Sequence, residues 1–490
     1  MNMRLAPIFL AAGLAGCAVG PSTRAAAPAP RPLAVRDSLL APASRGFLDS
    51  LAAARDAGRA DTAAPTLWKP APLALDSASD LPWLAVLKDS VLVGLVRTAV
   101  ANNRDLKAAL ARVREYRASL GAARGNFFPQ VTANGSYSTN QAIFGDFPPQ
   151  TYDAVRITAD LAWELDFWGR LRRQAEAARF DWQGREEDGR AAVLSLVSGV
   201  ALTYLQLREL DQSAELAERT LASRRATLEL ARRRFDQGVI SELDVRQFEA
   251  DAAVPAATLA DIARQRAAAE HQLSLLLGQE PGPIARGHSL EQAVQAVTVP
   301  DSVPGDLLTR RPDVLSAQRD WQGATARIGV ALGNRLPKFV VSGSYGTQRP
   351  DFSRLFTSDA EVYQLAGGIS IPLFTGGRLI NEQRAARARA DQARARYEQA
   401  VLSAAREASD ALAGLRLSRD QLAAQETQTQ ALRRAFALAE KRYESGVSSY
   451  LEVLDAQRGL FAAELQLVQV ERQYLSATVQ LYRALGGGWE

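Results

Sequence analysis

The chain has one cysteine, two histidines and two methionines in 490 residues, and the first two scarcities each close off a class of function. A lone cysteine excludes a disulfide framework within the chain. His271 lies in a helical pattern and His288 in a Gly/Pro-rich linker, with no cysteine or second histidine at ligand spacing, so no metal site is expected. Past the N-terminus there is no run of about 18 uninterrupted apolar residues; residues 86–100 come nearest and are broken by Lys88, Asp89 and Arg97. A membrane crossing, if there is one, must use strands. Net charge is +4, and the densest basic run (Arg384, Arg387, Arg389, Arg394, Arg396) is interleaved with Ala, Glu and Asp at helical spacing. That is the pattern of a solvated helix face, and no nucleic-acid partner is expected. Gly376-Gly377-Arg378 lacks the rest of a phosphate-binding loop. No enzyme, catalytic residue or cofactor is expected.

The position of the cysteine carries information. Arg4 precedes an apolar stretch from Leu5 to Gly16, too short to span a bilayer, and Leu14-Ala15-Gly16-Cys17 closes it. A short basic region, an apolar region and small residues before the cut mark residues 1–16 as a signal peptide. A cysteine directly after that cut resembles the bacterial lipoprotein signal, in which Cys17 is acylated; a differently cut signal with an incidental cysteine is the alternative. Ala18, where inner-membrane lipoproteins favour aspartate, points to the outer membrane. Residues 17–82 are rich in Ala and Pro without a sustained period and suit an extended tether.

Beyond the tether the chain repeats itself. Pro129 and Pro337, Gly169 and Gly377, Gly238 and Gly446, and Gly278 and Gly486 are each 208 residues apart, with matching neighbours. A constant offset across four landmarks means two copies of one unit, residues 83–290 and 291–490.

Each copy carries a hairpin, at 127–166 and 337–374. From Val155 to Asp166 the chain alternates without a slip: Val155, Ile157, Ala159, Leu161, Trp163 and Leu165 on one face, Arg156, Thr158, Asp160, Ala162, Glu164 and Asp166 on the other. In the second copy Tyr363, Leu365, Gly367, Ile369, Ile371 and Leu373 oppose Gln364, Ala366, Gly368, Ser370 and Pro372. A period of two puts one face in an apolar medium and the other in water. A soluble sandwich is the plain alternative. Against it stand strand lengths near the roughly 9–11 residues that cross a membrane, and aromatic residues at strand ends (Tyr152, Trp163, Trp168, Tyr363, Phe374). Four strands cannot close a barrel and open edges are not tolerated in lipid, so copies must associate.

Helical patterns flank the hairpins. Gly169 to Gln237 and Arg378 to Glu444 form two tracts of roughly 70 residues, about 100 Å each. Shorter tracts at 84–124 and 246–277, and at 307–335 and 451–485, accompany them. Helices of this length imply coiled-coil-like packing. The tracts reverse at two tips, 235–245 and 443–455, where Gly238 and Gly446 supply left-handed caps.

From Trp83 onward the landmarks fall in a recognisable order. They are Asn102-Asn103 with Asp105-Leu106, Phe127-Phe128-Pro129, Trp163-Glu164-Leu165-Asp166 with Gly169-Arg170, Arg310-Arg311-Pro312-Asp313 with Ile328-Gly329-Val330-Ala331, Pro372-Leu373-Phe374 with Gly376-Gly377, and the tips. Together they resemble the TolC-like outer-membrane efflux proteins, in the acylated OprM/NodT-type branch. The resemblance implies an α+β membrane protein whose four transmembrane strands join those of two further copies in a trimeric 12-stranded barrel, continued by a long α-helical barrel through the periplasm. It also implies a duct that catalyses nothing. Such a duct is the exit stage of a tripartite pump, docked through a periplasmic adaptor onto an inner-membrane transporter of RND type.

Residue roles follow from the resemblance. Glu452 and Asp455, three apart on one helical face, would form carboxylate rings at the periplasmic mouth, with Asp244 and Tyr443 in a latch between tip helices. Ser448 stands at a position that is basic in some relatives, so a salt bridge there is not carried over. Gly238, Val239, Gly446 and Val447 would contact the adaptor. Arg156, Thr158, Asp160, Glu164, Asp166, Gln364 and Ser370 would line the pore; a catalytic carboxylate pair at Glu164 and Asp166 is the weaker reading. A lipid-anchored periplasmic scaffold and a type I protein secretion duct remain as alternatives. The acylated branch favours efflux of small toxic molecules, drugs or metal ions.

Overall fold

The computed structural model describes residues 89–142, 148–296 and 310–487. The expected signal peptide, Cys17 and the tether lie outside the described residues. In chain order the elements are α1 (Ser90–Asn102), α2 (Arg104–Gly125), β1 (Gln130–Ala142), β2 (Gln150–Leu165), α3 (Arg170–Asp236), α4 (Glu242–Leu276), α5 (Leu290–Ala296), α6 (Pro312–Gly333), β3 (Lys338–Arg349), β4 (Glu361–Ser370), α7 (Arg378–Glu444) and α8 (Tyr450–Ala484). The pairs α2/α6, α3/α7 and α4/α8 are offset by 208 residues at both ends. The described residues divide into two compact units, one comprising 112–186 and 316–398, the other the remainder.

The first unit holds a four-stranded antiparallel sheet in the order β1-β2-β3-β4. Its two hairpins are joined through β2 and β3, from Val155 opposite Arg349 to Leu165 opposite Phe339. β4 ends at Ser370 instead of continuing through Leu373. Pro372 lacks the N–H that a ladder requires, which stops the strand there. Below the sheet, Ala324 of α6 packs with Ala390 and Ala393 of α7, and Trp321 stacks on Tyr397 at 5.8 Å.

In the second unit the core draws on six helices, with Leu106 of α2 and Leu290 of α5 joining residues of the other four. Leu92 and Val96 of α1, Val197, Val200, Tyr204 and Leu207 of α3, Leu273 of α4, and Leu475 and Val479 of α8 are buried together. Each such side chain contributes roughly 1.5–3 kcal/mol of apolar burial. By length and composition α3 could cross a membrane, yet its apolar middle supplies this core. Small residues let helices approach: Ala404 and Ala408 are almost fully buried, and Ala411, Leu415 and Leu422 of α7 pack on Val470, Tyr474 and Leu481 of α8.

The single helix expected at 84–124 is two helices broken at Asn103. Its backbone leaves the helical region with ψ of 131°, and its side-chain oxygen accepts from the N–H of Leu106 at 2.8 Å, capping α2. Asn103 Nδ2 also donates to the carbonyl of Leu276 at 2.9 Å. In the second copy Arg311 donates to the equivalent carbonyl, of Ala484, at 2.9 Å and pairs with Glu407 at 2.6 Å. Two different side chains tie off the same helix end. Both return helices then reverse at a glycine, Gly278 with φ +69° and Gly486 with φ +86°.

Gly278→Ala is expected to be the costlier of two alanine substitutions at left-handed glycines. Its Cβ would lie 2.6 Å from the carbonyl oxygen of Asn102, whereas nothing lies within 4 Å of a Cβ at Gly238. Strain alone costs roughly 1–2 kcal/mol at either site, so thermal melting should fall clearly further for Gly278→Ala.

A second expectation concerns Glu471 of α8, which is 7% exposed. Burial pushes its carboxyl up to about 7, reinforced by Glu291 and Glu426, although Gln212 donates to it at 3.3 Å and Arg433 favours the charge. The native state therefore holds a proton that the unfolded chain has released, and stability falls as pH rises from about 4.5 to 7. Melting of the wild type against Glu471→Gln at pH 5 and 8 should show this loss, on the order of 3 kcal/mol at most, only with the glutamate present.

Candidate functional site

Strand register decides which side chains share a face. Asp160 lies opposite Ser344, which lies opposite Gln364, and Lys338 lies opposite Ser370. Arg156, Thr158, Asp160, Glu164, Gln364 and Ser370 therefore occupy one face of the sheet, with Thr132, Asn134 and Ser136 of β1 beside them. Val131, Tyr137, Ile157, Leu161, Trp163, Phe339, Val341, Tyr345, Tyr363, Leu365 and Ile369 take the other. The polar face is cross-linked: Asn134 Nδ2 donates to Asp160 at 2.6 Å, Thr158 to Asp160 at 3.2 Å, and Arg156 to Ser344 at 3.2 Å.

Two of the expected lining residues have structural tasks instead of free carboxylates. Glu164 takes a bidentate pair from Arg170, at 2.9 and 2.7 Å. Asp166 falls just beyond β2 and accepts from the N–H groups of Leu171 and Arg172, at 3.0 and 2.9 Å. An anion at a helix start satisfies otherwise unpaired donors and offsets the helix dipole. The spacing of these acids ahead of Gly169-Arg170 held this signal; the alternation alone concealed it.

At the tips the two copies share one backbone solution. The N–H of Val239 donates to the carbonyl of Arg234, and that of Val447 to Arg442, both at 2.9 Å, around Gly238 and Gly446 at φ +71° and +73°. Val239 and Val447 are 67% and 68% exposed. One turn on, Leu243 and Leu451 are 67% and 62% exposed, a pair the glycine landmarks did not include.

Asp244 and Tyr443 are not brought together. Asp244 closes a capping box with Ser241, accepting from its N–H at 2.9 Å and its hydroxyl at 2.7 Å, which holds its carboxyl below the usual carboxylate range. Tyr443 accepts from Arg234 Nη1 at 2.8 Å and meets Tyr450 edge-on at 5.1 Å; Tyr450 in turn meets Phe248 at 4.6 Å. These contacts fasten the second tip to the first. Glu452 pairs with Arg442 at 3.1 Å, and Asp455 stands exposed one turn further along α8.

Comparison with known proteins agrees with this geometry. A family model described as outer membrane efflux protein matches residues 95–279 and again 303–487, one match per copy and offset by 208. The chain belongs to that family. Among its relatives, the solvent efflux pump outer membrane protein SrpC of Pseudomonas putida is 35% identical over 82% of this chain and 86% of its own. The cation efflux system protein CusC of Escherichia coli O6:H1 is 31% identical over 85% and 90%. The solved outer-membrane channel OprN superposes with a TM-score of 0.76 at 31% identity, covering 83% of this chain and 92% of that one; a CusC structure gives 0.75 at 30% identity, covering 82% and 93%.

In this outer membrane efflux protein the tip cluster makes a graded expectation. Tyr443→Phe removes one charged hydrogen bond and keeps the ring contacts, costing about 1–3 kcal/mol; Tyr443→Ala removes both. Hydrogen exchange of residues 238–245 and 446–455 should accelerate modestly in the first variant and strongly in the second.

Proposed function

We propose that the chain is the outer-membrane exit duct of a tripartite efflux pump, passively conducting small toxic molecules outward. The observation that carries this reading is the segregation of polar and apolar residues to opposite faces of a sheet whose outer strands, β1 and β4, are paired on one side only among the described residues. In lipid such edges must be closed, and three copies pooling four strands each give a twelve-stranded barrel with the polar face inward. The lining then includes Arg156, Thr158, Asp160, Glu164, Gln364 and Ser370, and the long helices continue the duct through the periplasm. Cys17 carries the lipid anchor. No catalytic step is assigned.

The exposed pairs Val239/Val447 and Leu243/Leu451 mark the tips as the docking end for a periplasmic adaptor and, through it, an inner-membrane transporter of RND type. At that end Glu452 and Asp455, repeated threefold, ring the mouth with carboxylates that admit and bind cations. Cargo of the drug, solvent or metal-ion kind agrees with relatives named for solvent, toluene, antibiotic and cation efflux.

Single-channel recording in planar bilayers tests this. The wild type should show a small, cation-preferring conductance blocked by divalent cations added from the tip side, and Glu452→Ala/Asp455→Ala should relieve the block. Failure of folded protein to insert at all would remove the duct and leave a lipid-anchored scaffold.

A further inference from the structure

About two and a half turns into α4, Asp251 is 2% exposed and holds two arginines. Arg224 of α3, 3% exposed, donates from Nη1 to the Asp251 carbonyl at 2.8 Å, and its Nε lies 3.1 Å from Oδ2. Arg458 of α8 donates from Nε to Oδ1 at 2.8 Å. The Arg224 guanidinium also lies over the ring of Phe461 on α8, 5.3 Å from its centre. One buried carboxylate thus serves two guanidiniums that belong to different copies of the repeat.

The other copy shows what this position needs for packing alone. Shifted by 208, Arg224 becomes Leu432, Asp251 becomes Gly459, and Arg458 corresponds to Ala250. A Cβ at Gly459 would lie 3.7 Å from Leu432 Cδ2, an ordinary apolar contact. A leucine against a glycine suffices to pack α7 on α8. The first copy instead carries an ion pair between α3 and α4, and its carboxylate reaches across to Arg458, immediately beside the glycine that stands in Asp251's place. Burying the Asp251 and Arg224 charges is costly unless each is compensated, and half-exposed Arg458 adds a second partner for the carboxylate, so packing does not account for it.

We propose that Asp251 is a positioning residue for the mouth: through Arg458 it clamps α8, and with it Glu452 and Asp455, against the first tip hairpin. The clamp lies further from the tips than the Tyr443 cluster and works on the same seam. Without the Asp251 charge, Arg224 and Arg458 face one another with no counter-ion, the second hairpin parts from the first, and the mouth widens. This rests on the duct reading for its consequence, but the clamp itself can be read without conduction.

Full-length protein should be compared as wild type, Asp251→Asn, Arg458→Leu, Arg458→Lys and, as a control, Arg264→Gln, which breaks only an exposed pair with Asp261 on the same helix. Hydrogen exchange over residues 443–455 should rise several-fold in Asp251→Asn and Arg458→Leu, with single-channel conductance increased at least twofold. Arg458→Lys restores a cation opposite Asp251 and should return both readouts towards wild type; the control should change neither. Arg458→Leu keeps the Arg224–Asp251 pair and changes a half-exposed residue, so it reports even if Asp251→Asn fails to fold. Tip exchange at the wild-type level in Arg458→Leu, or exchange equally fast in the lysine and leucine variants, overturns the clamp. A wild type that fails to insert counts against the duct, while the exchange comparison still decides the clamp.

Discussion

Backbone hydrogen bonding in lipid is the constraint on which the rest of the molecule depends. Among the described residues, a four-stranded sheet leaves the outer N–H and C=O groups of β1 and β4 without strand partners. In water this would be an aggregation hazard; in a bilayer it has no stable solution short of closure. Closure with copies requires that every protomer present the same face inward, and the unbroken alternation of β2 supplies that. The helices entering and leaving the two hairpins number four per protomer, and helix packing draws on buried Leu, Val and Ala side chains together with ion pairs such as Arg224 to Asp251.

Much of this was legible because it is periodic. The 208-residue offset recurs in the bounds of three helix pairs, and the two long tracts fall within a residue of α3 and α7. Alternation put Gln364 and Ser370 on one face with Arg156 and Asp160, and the register places them there although β2 and β4 are not paired, since it is transmitted through β3. What escaped is local or long-range. Asn103 reads as one more helical position until its side chain is seen to bond both Leu106 and Leu276. Glu164 and Asp166 fit the alternation whether or not they are engaged, so period alone could not reveal the Arg170 pair or the helix cap.

The charged contacts at the tips were the least accessible. Arg224 and Asp251 are separated by a helical reversal and Arg458 by most of a second repeat. Each occupies a position where an exposed charge would look the same in sequence. What distinguishes them in the sequence is that the two copies disagree there, Leu432 against Arg224 and Gly459 against Asp251. In a duplicated chain, departures from the repeat are where packing requirements and particular tasks separate.

The pairing of Asn103 and Arg311 with equivalent carbonyls, of Leu276 and Ala484, has a wider consequence. Six identical half-length chains could build a sixfold tube, but any side chain placed on one would appear six times around the axis. Fusing two copies halves that obligation. Neighbouring sectors keep a common backbone while their side chains drift independently, so a threefold assembly gains alternating positions around its circumference. Charge can then be set at every second sector, and matched by a complementary group in the sectors between, an arrangement that strict sixfold symmetry forbids.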